Sequence, residues 1–289
     1  MKPAPFAYAA PGTVSEALEL LARHGPDARI IAGGQTLGAM LNMRVVTPAV
    51  LVDINGIADW KVPVGVSKDC VLTHALVRQR EGVAPDGIFG RVPLARAAMP
   101  FVGHYQTRNR GTICGSIAHG DPTAELPLAL IVLNGKVHLA SSRRSRTVAA
   151  RNFYIGPLTT ERAPEELIVA VEWPVLPDTG VAFREVGVHG THSTLCAAAV
   201  VVRSDEVGRI ADLRVGLTAI SDRPLMLDTS PFLDAVPTRD WRRAIGVAVQ
   251  SSFEYISDMH ASADYRRSIA GALVERCLCD LTTDKAEHS

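Results

Sequence analysis

The sequence predicts an α+β protein built from two domains. In the first part of the chain, short apolar runs typical of strands are interspersed with periodic apolar stripes typical of helices. Prolines, an aspartate and a glycine then cluster between Pro174 and Gly180, which indicates a domain boundary. Beyond it, three strand-like runs precede two helical patterns. This order predicts an antiparallel sheet with helices on one face.

Hydrophobic periodicity and turn residues place the individual elements. The strand-like runs cover residues 28–31, 50–54, parts of 62–85, 137–139, 147–149, 167–172, 181–188, 195–203 and 210–219. The helical stripes cover residues 13–24, 37–43, 92–101, 124–133, 241–248 and 269–281. The first helix also has clear end signals, because Thr13 and Glu16 match a capping box and Gly25-Pro26 stops the stripe.

The composition excludes several classes of function. The 289 residues carry 30 basic and 30 acidic side chains, and this balance argues against a nucleic-acid surface. No window approaches the ~20 uninterrupted apolar residues of a membrane helix. The N-terminal residues lack the pattern of a signal peptide, so we expect a cytoplasmic protein. Five scattered cysteines without a Cys-x-x-Cys pair fit a reducing compartment and predict no metal or iron–sulfur site.

Two glycine-bearing segments are the strongest functional signal. The first is Ala32-Gly33-Gly34-Gln35-Thr36, and the second runs from Arg108 to Ser116 and on to Pro127. Glycines let backbone N–H groups approach an anion closely, and the hydroxyls of Thr36, Thr112 and Ser116 add donors. We also expect amides at the start of the helix after the first segment to favour negative charge. Two such loops closing on one ligand suit a diphosphate.

These segments leave alternatives open. A lone Gly-Gly is most often a turn, and neither segment matches a Rossmann or a Walker pattern. Asp121 and Glu125 lie four apart on one predicted helical face, so either could accept a hydrogen bond from a ribose or a ring N–H. Asp121 could equally cap that helix.

The same segments resemble the FAD-binding medium subunit of molybdenum hydroxylases, the family of xanthine dehydrogenase and carbon monoxide dehydrogenase. The similarity is most specific over residues 109–127, from Asn109-Arg110-Gly111-Thr112 to Glu125-Leu126-Pro127. It extends along nearly the whole chain, to residues 32–37, 42–44, 152–156, 165–168, 183–186 and 263–267.

The resemblance implies a two-subdomain FAD-binding domain of the vanillyl-alcohol-oxidase-like type, followed by a small sheet-plus-helices domain. We place the first domain at residues 1–174, with subdomains at about 1–56 and 57–174, the second at 175–284, and a frayed tail at 285–289. It also implies a large molybdopterin-binding subunit and a small [2Fe–2S] subunit as partners, in a dimer of heterotrimers. Electrons would leave through FAD to an external acceptor.

Carried over by position, the resemblance implies a set of cofactor-binding residues and no catalytic or metal-binding residue in this chain. Main-chain amides of the first segment would hold the diphosphate and the second would close over it. The predicted contacts are Ile31, Ala32, Gly33, Gly34, Gln35, Thr36, Thr112, Ile113, Gly115, Ser116, Asp121, Glu125, Ile168 and Arg184. Of these, Glu125 matches an acidic position near the adenosine end, Ile168 an apolar position beside the cofactor, and Arg184 a lysine near the flavin.

The sequence departs from the family at two places. Cys114 stands where glycine is usual, which strains the backbone if the position needs a positive φ and is otherwise a small packed side chain. His189 and His192 replace a charged Arg-Arg and Gly-Asp pattern, either as donors or as surface residues. Two other functions compete with the electron-transfer subunit: a stand-alone flavin oxidase, and a non-enzymatic FAD- or nucleotide-binding module. The low aromatic content, 5%, disfavours the oxidase.

Overall fold

The N-terminal part of the chain forms a small parallel sheet. The computed structural model describes residues 2–61, 65–84, 86–188 and 194–282. Its first elements are β1 (Ala7–Ala9), α1 (Val14–His24), β2 (Ala28–Ile31), α2 (Leu37–Asn42) and β3 (Val50–Asp53). The strands pair in parallel in the order β1-β3-β2. The first three residues of the central strand β3, residues 50–52, are apolar and buried because the strand has a neighbour on each side and α1 against one face.

Helix α1 begins where the sequence predicts, with one correction to its cap. The Thr13 hydroxyl accepts from the Glu16 N–H at 3.2 Å, as expected. The Glu16 carboxylate accepts from the N–H of Gly12 at 2.7 Å, not from that of Thr13, so the reciprocal half of the predicted capping box is wrong. The Glu16 carboxylate thus reaches one residue further back than a capping box requires, and it still satisfies a backbone N–H next to the start of the helix.

The next part of the chain is an antiparallel sheet covered by short helices. It contains, in chain order, β4 (Cys70–His74), α3 (Pro93–Ala98), α4 (Tyr105–Arg110), α5 (Ile113–His119), α6 (Glu125–Val132), β5 (Lys136–Ala140), β6 (Ser145–Ala149), α7 (Ala150–Phe153), β7 (Tyr154–Gly156), β8 (Thr159–Thr160) and β9 (Leu167–Pro174). The large sheet has the order β4-β9-β5-β6, and β7 and β8 form a separate pair. Helix α6 is buried all round, which explains its uninterrupted apolar sequence.

The expectation of several strands within 62–85 is largely wrong for the described residues. Residues 71–79 alternate between buried and partly exposed positions, but only residues 70–74 form a strand, paired with β9. The chain then changes partner, because the N–H of Gln79 donates to Gly111 and the N–H of Ile113 donates to Val77. The alternation therefore records an extended segment whose second half pairs with residues 111–113.

The second glycine segment is also more regular than a loop. Helices α4 and α5 occupy most of it and meet at Gly111-Thr112. Thr112 caps α5 by accepting from the Gly115 N–H at 3.0 Å. A Cβ on Gly115 would lie 2.6 Å from the Thr112 hydroxyl oxygen, so this position stays small to keep the cap. Local glycines here shape a helix junction.

The C-terminal part confirms the predicted antiparallel sheet with helices. Strands β10 (Gly180–Gly187), β11 (Thr194–Ser204), β12 (Ile210–Thr218) and β13 (Leu225–Met226) pair in sequence order, and α8 (Arg239–Ser252) and α9 (Ala263–Leu281) follow. In β11, Ala198 and Val200 pack in the core with these helices, whereas Ala197 and Ala199 join the core around α6. Both faces of the sheet are thus covered.

The α+β class is confirmed. In the described parts of the chain no helix is both long and apolar enough to cross a membrane.

Candidate functional site

A cleft of about 400 Å³ lies between the turn after β2 and the start of α5. Both glycine segments line it, together with parts of the chain around residues 162–168. The predicted site residues in its wall are Ile31, Ala32, Gly33, Gly34, Gln35, Thr36, Thr112, Gly115, Ser116, Asp121 and Ile168. Its size is typical of a small-molecule site.

The two glycine segments touch each other at Gly33. A Cβ on Gly33 would lie 2.3 Å from the carbonyl oxygen of Arg110 and 2.8 Å from the Cα of Gly111. Backbone meets backbone here, so no side chain could move aside to make room. Gly33 is required for this close approach, and the approach sets the width of the cleft.

The turn of the first segment leaves its amides available. Gly34 has φ +69°, a conformation that favours glycine. The Gln35 side chain donates to the carbonyl of Gly33 at 3.1 Å and stiffens the turn. Among the described residues, the N–H groups from Gly33 to Thr36 donate to no protein acceptor, although the carbonyls of Gly34 and Thr36 accept from α2. A bound oxyanion would satisfy such donors.

The second segment offers a hydroxyl pair from the start of α5. Thr112 and Ser116 both line the cleft, and the Thr112 oxygen accepts from Gly115 as the helix cap. A hydroxyl that accepts one hydrogen bond can still donate its proton. Two arginines, Arg29 and Arg162, lie in the same wall as the Asp121 carboxylate and contribute positive charge to the cleft. The arrangement suits an anionic ligand with apolar portions.

Asp121 and Glu125 take different positions. The Asp121 carboxylate lines the cleft and accepts from the N–H and hydroxyl of Thr123, at 2.8 and 2.7 Å. It does not cap α6, whose N-cap is Ala124, so that alternative is wrong. Glu125 is buried outside the cleft wall. Its burial raises the pKa to about 8, against a backbone hydrogen bond that lowers it, and Glu185 and Asp121 add repulsion.

The sequence matches two family models that together cover nearly the whole chain. The model for the FAD binding domain in molybdopterin dehydrogenase matches residues 4–176. The model for the CO dehydrogenase flavoprotein C-terminal domain matches residues 182–281.

The chain belongs to the FAD-binding medium subunits of molybdopterin dehydrogenases.

Several relatives match it over nearly its full length. Subunit alpha of the 6-hydroxypseudooxynicotine dehydrogenase complex of Paenarthrobacter nicotinovorans is 34% identical, over 96% of this chain and 95% of the relative. The carbon monoxide dehydrogenase medium chain of Afipia carboxidovorans is 31% identical, over 96% and 97%. A chain of quinoline 2-oxidoreductase from Pseudomonas putida 86 superposes with a TM-score of 0.91 at 31% identity, covering 98% of each chain. The protein is thus an oxidoreductase subunit with an FAD-binding domain.

Besides Glu125, two more residues predicted from the medium-subunit pattern lie away from the cleft. Ile113 is fully buried in the core beneath α5. Arg184 lies on β10 and forms a bidentate ion pair with Asp280 of α9, in which Nε donates to Oδ2 and Nη2 to Oδ1, each at 3.0 Å. Alternation along the strand directs its side chain to the face covered by α8 and α9, so Arg184 does not line the cleft, and its contact with a flavin stays a prediction.

Cys114 occupies the usual glycine position of the medium subunits without backbone strain. It lies within α5, and positive φ angles among the described non-glycine residues do not include it. Its thiol donates to the carbonyl of Thr73 at 3.4 Å, and burial raises its pKa to about 12. A thiol held in the neutral form is no nucleophile. The structure therefore favours a packed side chain in the cleft wall.

Sequence patterns missed several residues of the cleft. Arg29 and Arg162 line it, as do Gln79, His119 and Leu167. Arg29 could have been predicted from the sequence, because it interrupts the otherwise apolar strand Ala28–Ile31. Nothing in the sequence near Gln79 indicates that it lines the cleft, since its position depends on the pairing of residues 77–79 with 111–113. His189 and His192 lie outside the described residues.

Proposed function

We propose that this chain is the flavin-bearing electron-transfer subunit of a heteromeric molybdenum hydroxylase. It would hold FAD in the cleft and pass electrons from the [2Fe–2S] clusters of a partner subunit to an external acceptor. The observation that carries the proposal is that two glycine segments meet at Gly33 and face one cleft. The first contributes main-chain donors that bind no acceptor among the described residues, and the second contributes the hydroxyls of Thr112 and Ser116.

The residues present fit the diphosphate of FAD. Amides from Gly33 to Thr36 would bind one side, and the Thr112 and Ser116 hydroxyls the other. Arg29 and Arg162 supply positive charge, and apolar residues such as Ile31 and Ile168 suit a planar ring. When bound, FAD supplies the redox chemistry, and the protein positions it and tunes its potential. No residue of this chain needs to act as an acid, base or nucleophile.

The partners follow from the relatives. Each relative is named as a subunit or medium chain of a dehydrogenase, and this chain spans 95% or more of both. We therefore propose a large molybdopterin-binding subunit and a small [2Fe–2S] subunit, assembled as a dimer of heterotrimers. The relatives and the structural neighbour are named for a nicotine derivative, carbon monoxide and quinoline. Because such different substrates accompany the same fold, substrate choice belongs to the large subunit.

Titration of the purified 289-residue chain with FAD, FMN and ADP tests the cofactor assignment. Contacts to a diphosphate predict stoichiometric FAD binding, ADP competition and much weaker binding of FMN, which has one phosphate. Equal affinity for FMN and FAD would contradict the proposal.

The electron path needs a second assay. Flavin in the isolated chain should stay oxidised with candidate substrates and become reduced only after the partner subunits are added. Reduction by substrate in the isolated chain would favour the stand-alone oxidase. Bound FAD that is never reduced in the reconstituted complex would favour the binding module.

A further inference from the structure

Two residues behind the cleft connect its two glycine segments. Asn55 follows β3, and Arg78 lies in the extended segment after β4. Arg78 donates from Nη1 to the carbonyl of Arg110 at 2.6 Å and from Nη2 to the Asn55 side-chain oxygen at 2.7 Å. The Asn55 amide in turn donates to the carbonyl of Ala32 at 2.8 Å. These bonds form a continuous bridge from the first segment to the second.

The bridge acts at the place where the two segments make their closest contact. Ala32 and Arg110, at its two ends, are the direct neighbours of Gly33 and Gly111, which pack against each other. Arg78 and Asn55 do not line the cleft. They therefore hold the segments from behind and leave the cleft-facing amides available.

Both residues are themselves held in place. The Asp53 carboxylate accepts from the Asn55 backbone N–H at 2.9 Å and from its side-chain amide at 2.6 Å, and Tyr8 donates to the same carboxylate. The Arg78 backbone N–H donates to Glu81 at 3.0 Å. A planar guanidinium offers its two acceptors two nitrogens in a fixed fork, whereas an ammonium offers a single nitrogen on a flexible stem. The arrangement fixes a distance between two segments that lie far apart in sequence.

We infer that Arg78 and Asn55 are positioning residues that set the spacing of the two phosphate-facing segments. This inference rests on the proposed function, since it concerns the same cleft. It predicts that FAD affinity depends on two side chains that make no contact with the ligand.

FAD titration of the full chain tests the bridge with the variants Arg78→Gln, Arg78→Lys and Asn55→Ala. Losing a charge-assisted hydrogen bond at a partly exposed site should weaken FAD binding by about tenfold in each single variant. Arg78→Lys keeps the charge but replaces two fixed nitrogens with one on a flexible stem, so it should not fix the spacing and should resemble Arg78→Gln. Because either change alone opens the bridge, the double variant Arg78→Gln/Asn55→Ala should bind no more weakly than a single one.

Arg80→Gln is the matched control. It removes an equal charge from an exposed position two residues away, and it should change FAD affinity by less than about twofold. A repeat of the titration at about 0.5 M salt distinguishes a positioning role of Arg78 from direct electrostatic attraction of the diphosphate, because salt screens that attraction. The loss in Arg78→Gln should persist there.

The inference is overturned if the single variants bind FAD as the wild type does, if the two losses multiply in the double variant, or if added salt abolishes the effect. A wild-type chain that binds no FAD would instead refute the proposed function. Thermal unfolding of the flavin-free chains provides the check on folding, since all variants should unfold within a few degrees of the wild type.

Discussion

Replacing Gly33 by alanine should separate the two glycine segments and weaken FAD binding. The new Cβ would lie 2.3 Å from the Arg110 carbonyl oxygen, whereas an ordinary contact begins near 3.4 Å. Both contacts are backbone, so the segments must move apart by about 1 Å. A shift of this size lengthens a normal hydrogen bond between a segment amide and a bound phosphate beyond its effective range.

The size of the effect follows from the donors that lose their acceptor. A main-chain N–H bound to a charged phosphate contributes about 1.5–3 kcal/mol. Loss of one such bond corresponds to roughly ten- to hundredfold weaker binding, since about 1.4 kcal/mol is a factor of ten. The double variant Gly33→Val/Gly115→Val also adds bulk to the second segment, where a Cβ on residue 115 would meet the Thr112 hydroxyl. This variant should retain no FAD.

Flavin content of the purified chain and an FAD titration measure this effect, with Gly38→Ala as the matched control. Gly38 lies in α2, and a Cβ there meets nothing within 4 Å. The control should bind FAD like the wild type and unfold at a slightly higher temperature, since alanine stabilises a helix by about 0.5–1 kcal/mol over glycine. Wild-type affinity in Gly33→Ala, or stoichiometric flavin in the double valine variant, would refute the reasoning.

Three further outcomes are expected. Glu125→Gln should stabilise the flavin-free chain at pH 8 by on the order of a few kcal/mol, and the gain should shrink toward pH 5. Burial raises the pKa of Glu125 in the folded chain from 4.5 to about 8, so between these values the unfolded chain releases the proton and the stability of the wild type falls as pH rises. Urea unfolding at both pH values checks this. Iodoacetamide should label the exposed Cys279 and spare the buried Cys114, and mass spectrometry would expose an error if Cys114 reacted first. Arg266→Met should lower stability by about 3 kcal/mol, because the buried guanidinium serves three carbonyls and Asp258; an unchanged melting temperature would contradict this.

Local patterns predicted those elements whose causes are local. Helix α1 has its cap residue, apolar stripe and stop signal within a dozen neighbouring positions, and it forms where expected. The C-terminal sheet was predictable for the same reason, since each strand carries its own apolar run. The first glycine segment was found because a strand leads directly into it.

Long-range contacts explain what local patterns missed. The segment after β4 alternates like a strand, but its partner changes from β9 to residues 111–113, and nothing near it in sequence indicates this. The width of the cleft depends on Gly33 meeting Arg110, and the bridge behind it depends on Asn55 meeting Arg78. Such pairings are set by the topology of the sheets, which periodicity does not encode.

The alternation of side chains along β10 explains why Arg184 contacts α9. Phe183 pairs with Ala199 and lies in the core around α6, whereas Arg184 pairs with Ala198, which belongs to the core of α8 and α9. Moving Arg184 to the opposite face of the sheet would need a one-residue slip that takes Phe183 out of its core. Glu185 shares the face of Phe183, and burial raises its pKa to about 7 while a Thr194 hydrogen bond lowers it. Glu185 therefore acts on the buried Glu125 by charge repulsion, whereas Arg184 on the opposite face stabilises the contact with α9.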